Sequence, residues 1–338
     1  MAYVLGMSSK KLYRWYREVL SGFSQAKETG EIDRNNIKVK EKGGVKEIKI
    51  PIMEEKNMGE DMGIDEKTIN GVSYTILSNR KTNKIALMAS TLKTSHLMKI
   101  ISKFDIETRM EVKSLTRDMA SNYDWLGRQA FMNAYHVVDK FHVLTHVMEQ
   151  LQAIRIRYRQ EELRKRRIAV NNKQKYVEHI YENGDTTLQL LARSRGLLFL
   201  FSHQWSEQQE KRANILFRNY PEIHKAYLLV KKLRVWFAAP LGKTTYQKTR
   251  ARKKQELLTL IKELMATKIE ELKNIAFMLK KNLTQILNYF IAKETNAKAE
   301  ALNQNLQRFI NVNYGARNTD FFPLQSKNLF RLAHQNRN

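Results

Sequence analysis

Asp65 interrupts a short apolar run, Met62 to Ile69. An ionised side chain there is costly unless it is paired, bound to a cation or turned to solvent on an edge strand. Side chains alternate along a strand, so Gly63, Asp65 and Lys67 share one face while Ile64 and Glu66 share the other. Asp65 and Glu66 therefore cannot serve one site without a bulge. Asp118 follows a second run of β type, Val112 to Arg117, where a strand gives way to a loop. Taken alone, it could simply cap the turn that follows. If the two runs are neighbours in one sheet, the two carboxylates approach one another, and such a pair repels at neutral pH unless a divalent cation neutralises it. Oxygen donors of this kind suit Mg²⁺ or Mn²⁺ rather than zinc. A site that uses two ions for phosphoryl transfer needs a further acid. Glu300, within the helical stretch Asn296 to Asn303, is a candidate, although glutamate on a helix is ordinary.

The charge balance points to what such a site would act on. Lys and Arg total 60 in 338 residues against 34 Asp and Glu, a net charge of +26. This surplus repels itself unless a polyanion is present, and its spread along the chain suits a long nucleic-acid path better than one phosphate pocket. Ribosomal and membrane-surface proteins share the trait. Candidate phosphate contacts are Lys10, Lys11 and Arg14 near the N-terminus, then Arg155, Arg157, Arg159, Arg164, Lys165, Arg166 and Arg167, then Lys248, Arg250, Arg252, Lys253 and Lys254. The two longer segments, Arg155 to Arg167 and Lys243 to Lys254, each have a tyrosine among their cations, and each could equally be a solvated helix face. The absence of cysteine excludes disulfides, thiolate zinc sites and cysteine nucleophiles. No stretch offers a signal peptide or the roughly 18 uncharged residues of a membrane span. The expectation is a cytoplasmic, nucleoid-associated protein with no membrane partner.

The elements that must position the acids are legible in the periodicity. Ser8 or Ser9 can cap a basic amphipathic helix running to Leu20, half of a helix-turn-helix, and residues 28–60 read as a linker with one strand, Val45 to Ile52. Three strands follow, Met62 to Ile69, Val72 to Leu77 and Lys84 to Ala89, separated by good turn chemistry. A helix over Thr91 to Phe104 with a Ser or Thr cap, a strand Glu111 to Thr116, a helix Tyr123 to Met132 and a strand Tyr135 to Val138 complete the order β-β-β-α-β-α-β. That is the order of an RNase H-like mixed sheet in an α/β fold. Residues 143–290 read as helix after helix, broken at Asn183-Gly184-Asp185, Pro221 and Pro240-Leu241-Gly242. The expected organisation is an N-terminal helix and linker (1–60), the first part of the core (61–142), a basic all-helical insertion (143–290) and a last helix with its tail (291–338).

Four segments in this order resemble a known family. They are Gly63-Ile64-Asp65-Glu66, Arg117-Asp118-Met119-Ala120 with Tyr123, Val137-Val138-Asp139-Lys140-Phe141-His142, and Glu300-Ala301-Leu302-Asn303 with Tyr314-Gly315. Together they resemble the ISL-three group of bacterial insertion-sequence transposases. The resemblance implies a DDE triad at Asp65, Asp118 and Glu300 holding two Mg²⁺ ions, with Mn²⁺ as a substitute. It implies cleavage and strand transfer on double-stranded DNA, both transposon ends and target, by a homo-oligomer assembled on that DNA. Asp139 and His142 match the family's third block and are expected to support the site or the DNA; a partly buried, hydrogen-bonded His142 fits as well. Ala301 replaces the family's usual glycine and favours helix. The family's N-terminal zinc module and complete helix-turn-helix have no counterpart here, so weak sequence-specific recognition is expected. An RNase H-like nuclease that does not join strands, or a DNA-binding derivative without turnover, would share parts of the pattern.

Overall fold

The computed structural model describes residues 6–31, 33–69, 71–119, 121–238 and 246–290. They form two compact units that divide between Asp139 and Lys140. The first unit is mixed α/β. Its strands are β1 (Ile37–Glu41), β2 (Gly44–Ile48), β3 (Ile52–Met53), β4 (Asp61–Ile69), β5 (Val72–Asn79), β6 (Lys84–Ala89), β7 (Ser114–Arg117) and β8 (Tyr135–Val138). Its helices are α1 (Ser9–Trp15), α2 (Phe23–Glu28), α3 (Thr94–Ile101), α4 (Ile106–Met110) and α5 (Ser121–Ala130).

Six strands make one sheet in the order β3-β6-β5-β4-β7-β8. Alternating apolar residues on β4, β5 and β6 drive two antiparallel pairings, and Gly71, with φ +79°, supplies the left-handed residue that the β4–β5 turn requires. After α3 and α4 the chain returns to pair β7 parallel to β4, and after α5 it pairs β8 parallel to β7. Met62 and Ile64 of β4 and Leu115 of β7 face α3 and α5, where they are buried with Leu97, Ile100, Tyr123 and Leu126. The opposite face carries a smaller apolar cluster of Ile52, Ile69, Tyr74, Ile76, Ile85 and Met88. Each fully buried side chain of this kind contributes roughly 1.5–3 kcal/mol.

Several local expectations are corrected. The segment expected as a linker with one strand holds the β1–β2 hairpin and the edge strand β3, and Val39, Ile48 and Ile50 enter the main core. Helix α3 starts after Lys93 with no side-chain cap, because Thr91 Oγ1 instead accepts the Lys93 amide at 3.2 Å. Strand β7 begins at Ser114 rather than Glu111, and the short helix α4 occupies residues too few to show a helical stripe of their own. Near the N-terminus Ser8 does cap α1, accepting from the Lys11 amide at 3.3 Å, and a π-helical turn, Tyr16–Leu20, continues it.

The second unit is helical: α6 (Lys140–Asn171), α7 (Thr187–Leu197), α8 (Glu207–Asn219), α9 (Pro221–Ala238), α10 (Tyr246–Ala266), α11 (Glu270–Lys281) and α12 (Leu283–Asn288). Capping boxes at Thr186/Gln189 and Ser206/Gln209 satisfy the first amides of α7 and α8. Pro221 opens α9 as its first residue, where the missing amide hydrogen costs nothing. The break expected at Pro240-Leu241-Gly242 lies outside the described residues. No described helix is long and apolar enough to cross a membrane.

Candidate active site

Asp65 and Asp118 belong to neighbouring parallel strands, Asp65 within β4 and Asp118 just after β7. Gly63 on β4 pairs with Thr116 on β7, and Arg117 pairs with Val138 on β8. Neighbours in parallel register share a face. The β4–β7 pairing ends at Gly63 and Thr116, two residues before Asp65 and Asp118. The β7–β8 pairing ends at Arg117 and Val138, one residue before Asp118 and Asp139, and the Asp139 amide still donates to the Arg117 carbonyl at 2.9 Å. Asp65 thus lies midway along β4, while Asp118 and Asp139 follow the last residues of β7 and β8, and all three are half-buried. Oxygen Oδ1 of Asp65 also accepts its neighbour's amide, that of Glu66, at 2.8 Å.

The other face of the same strands holds the loop of Asp118 in place. Arg117, buried, donates through Nη1 to the Asp118 carbonyl at 2.8 Å and through Nη2 to Asp124 Oδ1 on α5 at 2.5 Å. Arg128 Nε donates to the second Asp124 oxygen at 2.9 Å, and His136 Nδ1 lies 3.3 Å from the first. Burial alone would raise the Asp124 pKa, but Arg117 and Arg128 outweigh it and hold the carboxyl below its ordinary value. Burial, with Arg117 nearby, pushes the His136 imidazole down despite Asp124. Glu66, on this face as alternation requires, accepts from the Tyr123 hydroxyl at 2.6 Å, and burial together with that carboxylate raises the Tyr123 pKa. Tyr123→Phe removes the donor to an ionised acceptor and is expected to cost about 1.5 kcal/mol in urea unfolding without changing the set of DNA products.

On the face of the aspartates, Arg80 is 2% exposed and lies against Gly63. A Cβ at Gly63 would come within 3.3 Å of Arg80 Cδ and 3.4 Å of its Cγ, and Arg80 Nη1 donates to Thr116 Oγ1. Sequence reasoning singled out Gly63 but missed Arg80 and Asp124. The signal for Asp124 was its place one turn before Arg128 on an amphipathic helix; for Arg80 only the paired strand register could reveal it.

The expected cations divide by burial. Lys10, Lys11 and Arg14 on α1, Arg164, Lys165, Arg166 and Arg167 on α6, and Lys248, Arg252 and Lys254 on α10 are exposed; Arg159 and Arg250 are half-buried. Two expectations are corrected by burial. Arg155 is 6% exposed and spends its guanidinium on Gln152 Oε1 at 2.7 Å and the Leu191 carbonyl at 2.8 Å. Lys253 is 1% exposed, donates to the Trp236 carbonyl at 2.7 Å and sits about 5 Å from the Trp236 and Phe290 ring centres. Neither is available to a phosphate. Arg157 is half-occupied as well, bridging Glu271 at 2.9 Å and Glu222 at 2.8 Å. His142, in the first turn of α6, is half-buried with its ring edge-on to Phe141.

Glu300 lies outside the described residues. Among the described residues no three His, Asp or Glu side chains form a group that could hold a metal ion. Asp65 and Asp118 offer half-buried carboxylate oxygens on or just after neighbouring strands, and hard oxygen donors are the chemistry that Mg²⁺ and Mn²⁺ take, although two carboxylates alone leave such an ion's shell incomplete. Compared with known families, residues 62–326 match the transposase model of the ISL-three group. No curated protein and no solved structure matches the chain.

Proposed function

Because the chain belongs to the ISL-three group of transposases, whose model covers residues 62–326, we propose that it cuts and joins DNA through a DDE triad of Asp65, Asp118 and Glu300. The observation that carries this reading is the β4–β7 register, in which Gly63, two residues before Asp65, pairs with Thr116, two residues before Asp118. The order β6-β5-β4-β7-β8, with its first three strands antiparallel and its last two parallel to β4, supports an RNase H-like core. Asp65 and Asp118 would share divalent ions with Glu300, and Asp139, just after β8, would flank them. Bound there, two ions supply activation of the attacking oxygen and stabilisation of the leaving one. Arg117, locked by Asp124, holds the Asp118 loop at the depth this requires. Phosphodiester exchange conserves bond energy, so no nucleotide triphosphate is needed.

The exposed cations of α1, α6 and α10 would hold DNA by its backbone, and a homo-oligomer would bring ends and target together. The test is incubation of the purified protein with labelled transposon-end DNA and Mg²⁺, resolving nicked and joined products. Joined products support transposition. Nicked products alone would reduce the reading to a nuclease, and neither product would leave a DNA-binding protein without turnover. Replacing Arg164, Lys165, Arg166 and Arg167 with Gln is expected to weaken binding to every duplex and to reduce the salt slope by about 0.9 log units for each phosphate no longer neutralised. An unchanged slope in a fluorescence-anisotropy titration would return that segment to solvent.

A further inference from the structure

Between α7 and α8 a short loop packs on α9, and its backbone is fixed at both ends. Tyr227 on α9 donates its hydroxyl to the Leu200 carbonyl at 3.1 Å, and Trp205 Nε1 donates to the Leu197 carbonyl at 2.9 Å. Within the loop the Phe201 amide donates to Gln204 Oε1 at 2.9 Å, across the short turn Ser202–Gln204. Phe201 is thereby held in place, and two groups meet its ring. The His203 ring is 10° from parallel with it at 5.6 Å between centres, and the Arg234 guanidinium carbon lies 3.9 Å from its centre. One turn earlier on α9, Lys231 donates through Nζ to Ser202 Oγ at 3.2 Å. The charges here are unbalanced, since neither Leu198 to Ser206 nor Ile223 to Ala238 contains an acidic residue. Lys232 has Glu263 at 2.7 Å, but among the described residues no acid pairs with Lys231 or Arg234, and no acceptor takes the N–H donors of Arg234.

His203 is exposed, while Phe201 and Arg234 are half-buried. A solvent-facing ring parallel to a fixed one is a platform on which a further flat ring can stack, and an unused guanidinium fork fits phosphate. The partner this place suits is therefore flat and anionic at once. A second copy of the chain, at net charge +26, does not supply that; a nucleotide does. Resting on the reading that this chain handles DNA, we propose that Phe201, His203, Lys231 and Arg234 form a site for an unpaired nucleotide of a DNA strand, its base stacked on His203 and its phosphate taken by Arg234 and Lys231. Inside a duplex every base already stacks on its neighbours, so the site favours a single-stranded or frayed end. Cleavage of a duplex creates such ends, and a terminal base held on this platform cannot pair again with its old partner.

The experiment titrates the full chain, by fluorescence anisotropy, with labelled duplexes of three kinds: blunt, carrying a short single-stranded end, and carrying the same end with its bases replaced by abasic sites. One base stacked on an aromatic side chain is worth roughly five- to a hundredfold in affinity. The natural protein should therefore bind the single-stranded end at least about fivefold more tightly than the abasic one, whose phosphates are the same. His203→Ala should abolish that difference, and His203→Phe, which keeps a flat ring, should restore it. Arg234→Gln should weaken binding to the base-carrying and abasic ends alike and lower the salt slope by about 0.7 log units, the contribution of one single-strand phosphate. Equal binding of those two ends by the natural protein overturns the proposal without recourse to any variant's folding. A base-dependent difference that survives in His203→Ala overturns it as well, because the base then stacks elsewhere. Failure to bind any of the duplexes removes the DNA reading and this site with it, whereas binding to the blunt duplex with no preference for unpaired bases rejects only the present inference.

Discussion

Asp65→Ala and Asp118→Ala should each lower strand cleavage and joining by at least a thousandfold while leaving affinity for DNA within about twofold. The reason lies in what each substitution removes. On the triad reading the two carboxylates would hold the ions that carry the developing charge of phosphoryl transfer, and deleting one ligand would leave that charge unsupported. DNA affinity would come instead from counterion release at the exposed lysines and arginines of α1, α6 and α10, which these substitutions leave in place. Folding should survive, because both aspartates are half-buried and neither belongs to an apolar cluster. The measurement is single-turnover cleavage of labelled end DNA beside a binding titration in Ca²⁺, whose looser geometry suits binding better than chemistry. Cleavage within tenfold of normal in either variant would remove that residue from the triad. Asp139→Ala gives the finer comparison. If it only flanks the site from β8, one strand further out, it should slow cleavage by about tenfold rather than a thousandfold.

The core of the first unit is readable from Met62 onward because strand alternation and turn residues agree there. The pattern names β4, β5, β6 and β8 almost to the residue, and the order of elements follows. The β1–β2 hairpin is not readable. Ile37 to Ile48 mixes lysines and glutamates with few apolar residues, yet Val39 and Ile48 are drawn into the core by β4 and α3, which no local window contains. The candidate acids are legible only in part. That β4 and β7 are neighbours follows from the strand order read in the sequence, but where Asp139 falls needs the register Arg117 to Val138. The cation clusters fail in a more instructive way. A tally of positive charge says nothing about phase, and Arg155 falls on the stripe of Met148, Leu151 and Gln152, just as Lys253 falls on that of Thr249, Leu257 and Leu260. Spacing of three and four residues places both on the buried side of their helices. Exposed Arg164 to Arg167 lie beyond the last buried residue of α6, which explains why that run keeps its charge in water.

Asp185 is a buried ionic junction of the second unit, and removing it is expected to cost more than a surface change. Asp185, at the turn through Asn183 and Gly184, is 1% exposed. Arg212 on α8 donates to its Oδ2 at 2.8 Å, Asn183 donates to the same oxygen at 2.9 Å, and Arg193 on α7 donates to Oδ1. A single carboxylate thus joins a turn and two helices. Asp185→Ala leaves Arg212, about one-fifth exposed, facing a void without its counter-charge, and losing one partner of a buried ion pair costs about 3–5 kcal/mol. Arg193 is more than half exposed and can turn to water, so the lower end of that range applies. Burial would raise the Asp185 pKa, but Arg212, Arg193 and Asn183 outweigh it and hold the carboxyl below its ordinary value. The sign follows: a depressed folded pKa contributes stability that is present above the unfolded value and is lost as pH falls through the folded one. Natural protein should therefore lose stability steeply below about pH 4, whereas Asp185→Asn should start lower and lose less over the same range. Urea unfolding followed by tryptophan fluorescence gives the free energies, and hydrogen exchange of the α7 and α8 amides assigns the loss to this turn. Equal stability of the Asp185→Ala and natural proteins at pH 7, or parallel losses of the Asn variant and natural protein below pH 4, would show that the three-way contact contributes nothing to the unit.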